Sequence, residues 1–383
     1  MSIAFLLLAV LALALAALAT RSRVLRGPWW APAMAAAELA PWFLGGCAAV
    51  AGTFAAFRWN GGVVGSAGLV TFGLASALFA LAVTRNRSSR PAIESGLTGL
   101  LGDAGALPRI SRRSLLRPYP SLLRRLEVDT HSYGPHERHT VDRVALAGVT
   151  AGPVLIHVHG GGWWRGRRGR QARPLIRRMA ENGWVVLAPT YRLSPQATFP
   201  HHLDDIERLI SWVRASPEDL GADPGFIAVA GGSAGGQLAA LAGLRDPTLG
   251  LVIPIYGVHD LLADDGTSPK WPYLETAVMK SDPQADPGAW QRASPIRSPS
   301  PERAPFLIIH GSIDWVVDAG ESRELAAALR DAGGPAVGHV EVPWGNHGFD
   351  FFASVRSLLV VEGIAHALGV LNDRRLERAG GEP

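Results

Sequence analysis

Ser233 stands in Gly231-Gly232-Ser233-Ala234-Gly235, a G-x-S-x-G pattern. An apolar run of strand length, residues 226–230, precedes it, and an Ala/Leu-rich stretch with helical character, residues 236–244, follows. A serine on a sharp turn between a buried strand and a helix projects its hydroxyl above the sheet, and flanking glycines admit the strained dihedrals. The positive end of the helix dipole favours negative charge developing beside it. Such a hydroxyl is a poor nucleophile until a base takes its proton and a third group orients that base. Two later segments offer both. Asp314 lies in His310-Gly311-Ser312-Ile313-Asp314, just past an apolar strand at 305–309, with Asp318 a second candidate acid on the same loop. His347 lies in Trp344-Gly345-Asn346-His347-Gly348, after a short strand at 337–342. Serine, acid and histidine, each following its own strand in that chain order, make the constellation for nucleophilic acyl transfer: Ser233 attacks, His347 is the general base, and Asp314 orients it. His201, His202 and His310 read, taken singly, as surface side chains.

Acyl transfer also needs backbone N–H donors for the oxyanion. His159-Gly160-Gly161-Gly162-Trp163 directly follows an apolar strand at 153–158, and its glycines let the main chain approach a substrate without side-chain interference. These loops need a scaffold. Further strands are expected at 140–146, 184–188 and 251–255, alternating with helices at 171–182, 203–215, 234–244 and 321–332. That alternation predicts an α/β fold with a mainly parallel sheet covered on both faces, ligands collecting at the strands' carboxyl ends. Residues 263–300, rich in Pro, Asp and Ser, predict an excursion over that edge.

The motifs His159 to Trp163, Tyr191-Arg192-Leu193-Ser194-Pro195, Phe199-Pro200 with Asp204-Asp205, and Gly231 to Gly236 resemble the hormone-sensitive-lipase-like esterase family of the α/β-hydrolase superfamily. The resemblance covers about residues 140–370. It implies an α/β-hydrolase fold and a carboxylic-ester hydrolase without cofactor or metal, with Ser233, His347 and Asp314 as triad. It also implies an oxyanion hole from the N–H groups of Gly161, Gly162 and Ala234. Two departures stand out: Gly232 occupies a position that is acidic in many members, and the motif around Asp314 is closer to acetyl-esterase and peptidase-like branches. The same machinery acting on an amide, peptide or thioester is therefore the alternative, and a non-catalytic hydrolase-fold membrane binding protein a remoter one.

The N-terminal third lies outside that resemblance. Hydrophobic residues make up 48% of the 383-residue chain, a high share that is concentrated where charges are almost absent. Spans are expected at about 3–20, 39–57 and 63–83, within a transmembrane region at 1–90. A cleaved signal peptide competes for the first, but arginines follow that run instead of preceding it. Arg21, Arg23 and Arg26 mark the first loop, Arg58 the second, and Arg85, Arg87 and Arg90 the end of the third span. By the positive-inside rule this is a multi-pass cell-membrane protein with its catalytic domain, 137–383, on the cytoplasmic side. Trp29, Trp30 and Trp42 suit an interfacial belt.

Residues 91–136 read as a basic linker or cap segment. Arginines at 109, 112, 113, 117, 124 and 125 are interleaved with leucines and one isoleucine, so this segment is either a solvated linker or one lying on anionic headgroups. Arg165, Arg167, Arg168 and Arg170 read as a solvated loop, with an anionic bilayer or acidic substrate as the alternative partner. The basic balance points to membrane topology, since no nucleic-acid motif accompanies it. The lone cysteine, Cys47, excludes an intrachain disulfide and a multi-cysteine zinc site. The expected partners are an acyl ester and membrane lipid, the latter through the spans and the segment 109–125.

Overall fold

Eight strands form one sheet in the order β1-β2-β4-β3-β5-β6-β7-β8. They are β1 Leu126–Ser132, β2 Thr140–Leu146, β3 Gly152–Val158, β4 Val185–Pro189, β5 Ala222–Gly232, β6 Leu251–Ile255, β7 Phe306–Gly311 and β8 Val337–Val342. The computed structural model describes residues 2–20, 29–58, 61–103, 105–110, 112–120, 126–262 and 272–380. Arg21, Arg23 and Arg26 of the first loop, Arg124 and Arg125 of the basic segment, and the start of the 263–300 excursion lie outside the described residues.

Strands β3 to β8 run parallel, while β1 and β2 complete one side as antiparallel neighbours. The central strands are continuous apolar runs because helices cover both faces. Alternate residues divide accordingly: Val154, Ile156 and Val158 face one core, and Leu155 the other. The first core is closed by α8 His201–Ala215, α10 Ala234–Arg245 and α12 Ala319–Asp331. The second is closed by α5 Ser89–Leu101, α7 Arg173–Glu181 and α13 Val355–Gly380. Short helices α6 Arg112–Leu115, α9 Pro217–Leu220 and α11 Pro287–Ala293 lie in connections.

Two elements go beyond the expectation. The sheet begins at β1, inside the stretch read as a basic linker, and α5 packs on β8 so closely that a Cβ at Gly96 would meet Val340 at 2.3 Å and the His339 carbonyl at 2.7 Å. β1 escaped notice because an edge strand with one solvated face carries charged and polar residues at alternate positions.

The apolar N-terminal module comprises α1 Ser2–Thr20, α2 Trp30–Glu38, α3 Ala40–Ala56 and α4 Gly62–Arg87. Phe5 stacks between Phe54 and Phe72 at 4.6 and 5.1 Å, joining α1, α3 and α4, while Leu7, Leu11, Val63 and Val70 point outward. By length and composition α1, the continuous helix Gly62–Leu101 and α13 are long and apolar enough to cross a membrane, and α2 with α3 forms a pair bent by 70°. α13 differs from the others because 67% of its apolar window is already buried, against 28% for α1. It is a core helix.

The module is docked on the sheet domain by a buried ion pair. Glu38, 1% exposed, binds Arg356, and Ser354 Oγ donates to its other oxygen at 2.5 Å. Asn86 Nδ2 donates to the Ala37 carbonyl at 3.2 Å, tying α4 to α2.

Candidate active site

Register brings the three loops of the site together. Val158 of β3 lies opposite Gly231 of β5, so the glycine loop after β3 leaves the sheet beside the elbow. Gly232 pairs with Ile255 of β6, and Gly311 of β7 with Val342 of β8, placing the acid and histidine loops on the same carboxyl edge.

Ser233 has φ 56° and ψ −122°, a region rarely populated by a residue with a side chain, and directly precedes α10. Its neighbours allow this turn. A Cβ at Gly231 would meet the Gly235 carbonyl at 2.2 Å, and one at Gly235 the Val158 carbonyl at 2.2 Å. Ser233 N–H donates to Ile255 O at 3.0 Å, anchoring the elbow to β6. Its helix end carries the unsatisfied N–H groups that a developing anion uses.

Asp314 is buried on the loop after β7. One carboxylate oxygen accepts from His347 Nδ1 at 2.7 Å, with His310 Nε2 3.3 Å away, and the other accepts from the N–H groups of Val316 and Val317 at 2.8 and 3.0 Å. Burial opposes its ionisation, but the facing His347 and the hydrogen bonds from His310 and His347 outweigh that and hold the carboxyl well below the ordinary range. Asp318 instead caps α12, accepting from Gly320 N–H at 2.6 Å. The second candidate acid is therefore a helix cap.

With Nδ1 held by Asp314, the His347 Nε2 atom is left for a substrate proton. Tyr256 connects His347 to the elbow: its ring centroid is 4.7 Å from that of His347, and its hydroxyl would lie 2.8 Å from a Cβ at Gly232. Tyr256 donates to Asp350, whose carboxyl is pushed up by burial. This ring fills the space that an acidic side chain at position 232 would need, which accounts physically for the glycine there. Among the described residues Ser233 Oγ has no hydrogen-bond partner. Contacts to a general base commonly tighten only when substrate binds.

The glycine loop sits against the elbow, since a Cβ at Gly160 would meet Gly232 O at 2.6 Å and Ser233 Cβ at 3.1 Å. Gly161 and Gly162 have φ +129° and +61°. A Cβ at Gly161 would meet Arg165 O at 2.0 Å, so only glycine fits. Gln171 Oε1 accepts from Gly160 N–H at 2.7 Å, and His159 stacks on Tyr191 at 4.5 Å, fixing the loop from behind. The N–H groups of Gly161, Gly162 and Ala234 have no acceptor among the described residues. Trp163 Nε1 donates to Gln237 of α10 at 3.1 Å, holding loop and elbow at fixed spacing. From the 263–300 excursion, a Cβ at Gly162 would meet the Tyr273 hydroxyl at 2.7 Å, so that segment does reach over the site.

Several side chains take places that sequence reading did not assign. His310 and His202 are fully buried: His310 contacts Ser322 at 2.6 Å and the Val317 carbonyl at 3.1 Å, and His202 contacts Ser194 at 3.1 Å. Surface roles for both are corrected, because each belongs to an interior hydrogen-bonded set. Of the arginines after the glycine loop, Arg168 binds Asp142 at 2.6 Å and Arg165 lies over Trp164 at 5.7 Å. Trp30 of α2 stands edge-on to His347 with centroids 6.0 Å apart, and Arg85 of α4 lies 4.1 Å over Trp344 of the same loop. The apolar module thus touches the histidine loop directly. Among the described residues no group of three or more His, Cys, Asp or Glu side chains is arranged to hold a metal.

Comparison with known proteins extends this geometry. The BD-FAE family matches residues 146–329. The chain is 41% identical over 262 residues to "Esterase LipQ" of Mycobacterium tuberculosis, covering 64% of this chain and 62% of that protein. These matches agree with the likeness to hormone-sensitive-lipase-like α/β-hydrolases that the sequence motifs carry. "Arylacetamide deacetylase" of Bos taurus is another relative, 34% identical over 109 residues, covering 26% of this chain and 27% of that protein. Among solved structures, a "Truncated form of carbohydrate esterase from gut microbiota" shares the fold at TM-score 0.55 and 22% identity, covering 66% of this chain and 99% of that one. The match to LipQ thus spans less than two thirds of that relative's length.

Proposed function

We propose that this α/β-hydrolase is a membrane-anchored serine hydrolase that cleaves acyl esters through Ser233, His347 and Asp314. The observation that carries the reading is the 2.7 Å contact of His347 Nδ1 with Asp314, on loops that share the sheet edge with the Ser233 elbow. His347 Nε2 takes the Ser233 proton as Oγ adds to the ester carbonyl. Asp314 holds the imidazole in the required tautomer and stabilises the imidazolium. The N–H groups of Gly161, Gly162 and Ala234 receive the oxyanion. Collapse expels the alcohol, protonated by His347, and leaves an acyl-enzyme that water, activated by the same histidine, hydrolyses. No cofactor is required by this sequence of steps.

The anchor is the region 1–90, with α1, α3 and α4 as spans. The arginine distribution supports a catalytic domain, 137–383, on the cytoplasmic face, joined through 91–136. Membrane lipid is then a partner through the spans and the segment 109–125. An amide substrate is the second reading, favoured by the relative named as an arylacetamide deacetylase. Matched p-nitrophenyl ester and anilide substrates separate the two. The ester reading expects hydrolysis of the ester at a kcat/KM at least about a hundredfold above the anilide; comparable or higher anilide turnover overturns it.

A further inference from the structure

The continuous helix Gly62–Leu101 sets where the apolar module lies relative to the site. Its second half, α5, runs antiparallel to β8, with Gly96 against Val340 and His339 and Gly99 against Val337. Toward its amino end the helix therefore climbs past the carboxyl edge of the sheet, the edge that carries Ser233, Asp314 and His347. From Gly96 back to Arg85 it rises about 16 Å, whereas β8 extends only about 7 Å beyond Val340. Arg85 thus stands beside the loops of the site, its guanidinium 4.1 Å over Trp344. The same guanidinium donates to Thr20 O at 2.9 Å, so α1 and α4 end at one level. The site and these helix ends share one side of the molecule. On the opposite edge of the sheet, Glu218 and Asp219 ahead of β5 and Asp331 ahead of β8 are exposed.

Tryptophan, with an apolar ring and one N–H, concentrates where membrane meets water. Three exposed tryptophans flank the site: Trp29 at 58%, Trp164 at 55% and Trp344 at 36%. On the histidine side, Trp344 lies on the His347 loop and Trp29 directly precedes Trp30, whose ring stands against His347. On the oxyanion side, Trp164 stacks on Tyr273 with centroids 6.1 Å apart, and both lie beside Gly162. With α1 and α4 as spans, the level of Thr20 and Arg85 is where lipid tails give way to headgroups, and Arg85 and Arg87 in the last turn of α4 suit it. A small ester arriving from water would leave these rings wet; a bilayer surface covers them.

We propose that the site opens onto the bilayer and takes its substrate from it: a long-chain ester whose hydrocarbon stays among the lipid tails while its carbonyl reaches Ser233 at headgroup level. This rests on the acyl-ester reading and on α1, α3 and α4 as membrane spans. Such an ester never crosses water, so its chain keeps the burial that each methylene gains in the bilayer. Trp164 and Trp344 hold the mouth at the interface, and the alcohol and acid leave into the same lipid layer or into the water beside it.

The test uses the full chain in phosphatidylcholine vesicles, with dioleoylglycerol placed either in the same vesicles or, in equal total amount, in separate ones. Hydrolysis is expected to be at least about tenfold faster in the same vesicles, because so long a chain leaves a bilayer slowly. Equal rates in the two arrangements overturn the proposal. So does a chain that cleaves soluble p-nitrophenyl butyrate and leaves dioleoylglycerol intact. Trp164→Ser/Trp344→Ser is expected to lower the dioleoylglycerol rate about tenfold relative to the p-nitrophenyl butyrate rate, and an unchanged ratio counts against the proposal. The comparison of vesicles needs wild type alone, so it decides even where that variant does not fold. Failure of the hydrolase reading is separately visible, as loss of both p-nitrophenyl butyrate cleavage and fluorophosphonate labelling. Failure of the anchoring reading shows as release of the chain from membranes by alkaline carbonate.

Discussion

On the loop between β7 and α12, Asp314 commits both oxygens to His347, His310 and two backbone N–H groups, whereas Asp318 caps the following helix. Asp314→Asn is therefore expected to lower kcat on a soluble ester by about 10³–10⁴-fold, by letting His347 adopt the wrong tautomer. Asp318→Asn should change kcat less than threefold and cost at most about 1 kcal/mol of stability, as for a helix cap. Steady-state kinetics with denaturant titration on both variants checks the contrast, and comparable kinetic losses would contradict it. Gly232→Asp tests the second residue-scale reading. The new side chain would collide with Tyr256, and the variant should be destabilised by about 1–3 kcal/mol, with Tyr256→Ala in the same chain recovering part of it. The positions proposed as a triad could be picked out in the sequence because each follows a recognisable apolar strand. Tyr256, Asp350 and Trp30 were not, since packing alone brings them to His347 and no local pattern announces it. His310 looked like a surface residue, yet it is the last but one residue of β7 and is fully buried.

At the scale of elements, α2 is the piece that links the apolar module to the histidine loop. It is bent by 70° from α3, fastened at Glu38 to Arg356 and Ser354, and sets Trp30 against His347. Glu38→Ala leaves a buried arginine without its counter-charge and is expected to weaken the docking of the module by about 3–5 kcal/mol. A lowered thermal midpoint and new protease cleavage near residue 39 or 88 would register it. Trp30→Ala should lower kcat with a smaller change in KM, and Trp30→Phe should restore most of the rate. If Trp30→Ala leaves kcat unchanged, the contact with His347 has no positioning role. The parallel strands and most helices were readable from apolar runs and helical spacing. β1 was not, because its alternation of Leu, Val and Thr with charged residues resembles a solvated linker until β2 is placed beside it.

For the whole molecule, the interior is rich in neutral histidine. Burial lowers His157, His159 and His202 to about 4 and His259 to about 3, and each is almost fully enclosed. An unfolded chain protonates the same side chains near about 6.5. As pH falls below that value the unfolded state takes up protons that the native core refuses until about 4, so stability declines through this window by up to about 1.4 kcal/mol per pH unit for each such histidine. Urea midpoints measured from pH 7 to 4.5 should fall steeply, and a flat profile would contradict the burial. Everything proposed for the site turns on Ser233 being a nucleophile served by His347. The most direct measurement is intact-mass analysis after exposure to a fluorophosphonate. A single adduct that maps to Ser233 is expected, absent in Ser233→Ala and slowed at least about a hundredfold in His347→Ala. A folded wild-type chain that takes up no adduct, or takes it up equally in Ser233→Ala, would contradict it.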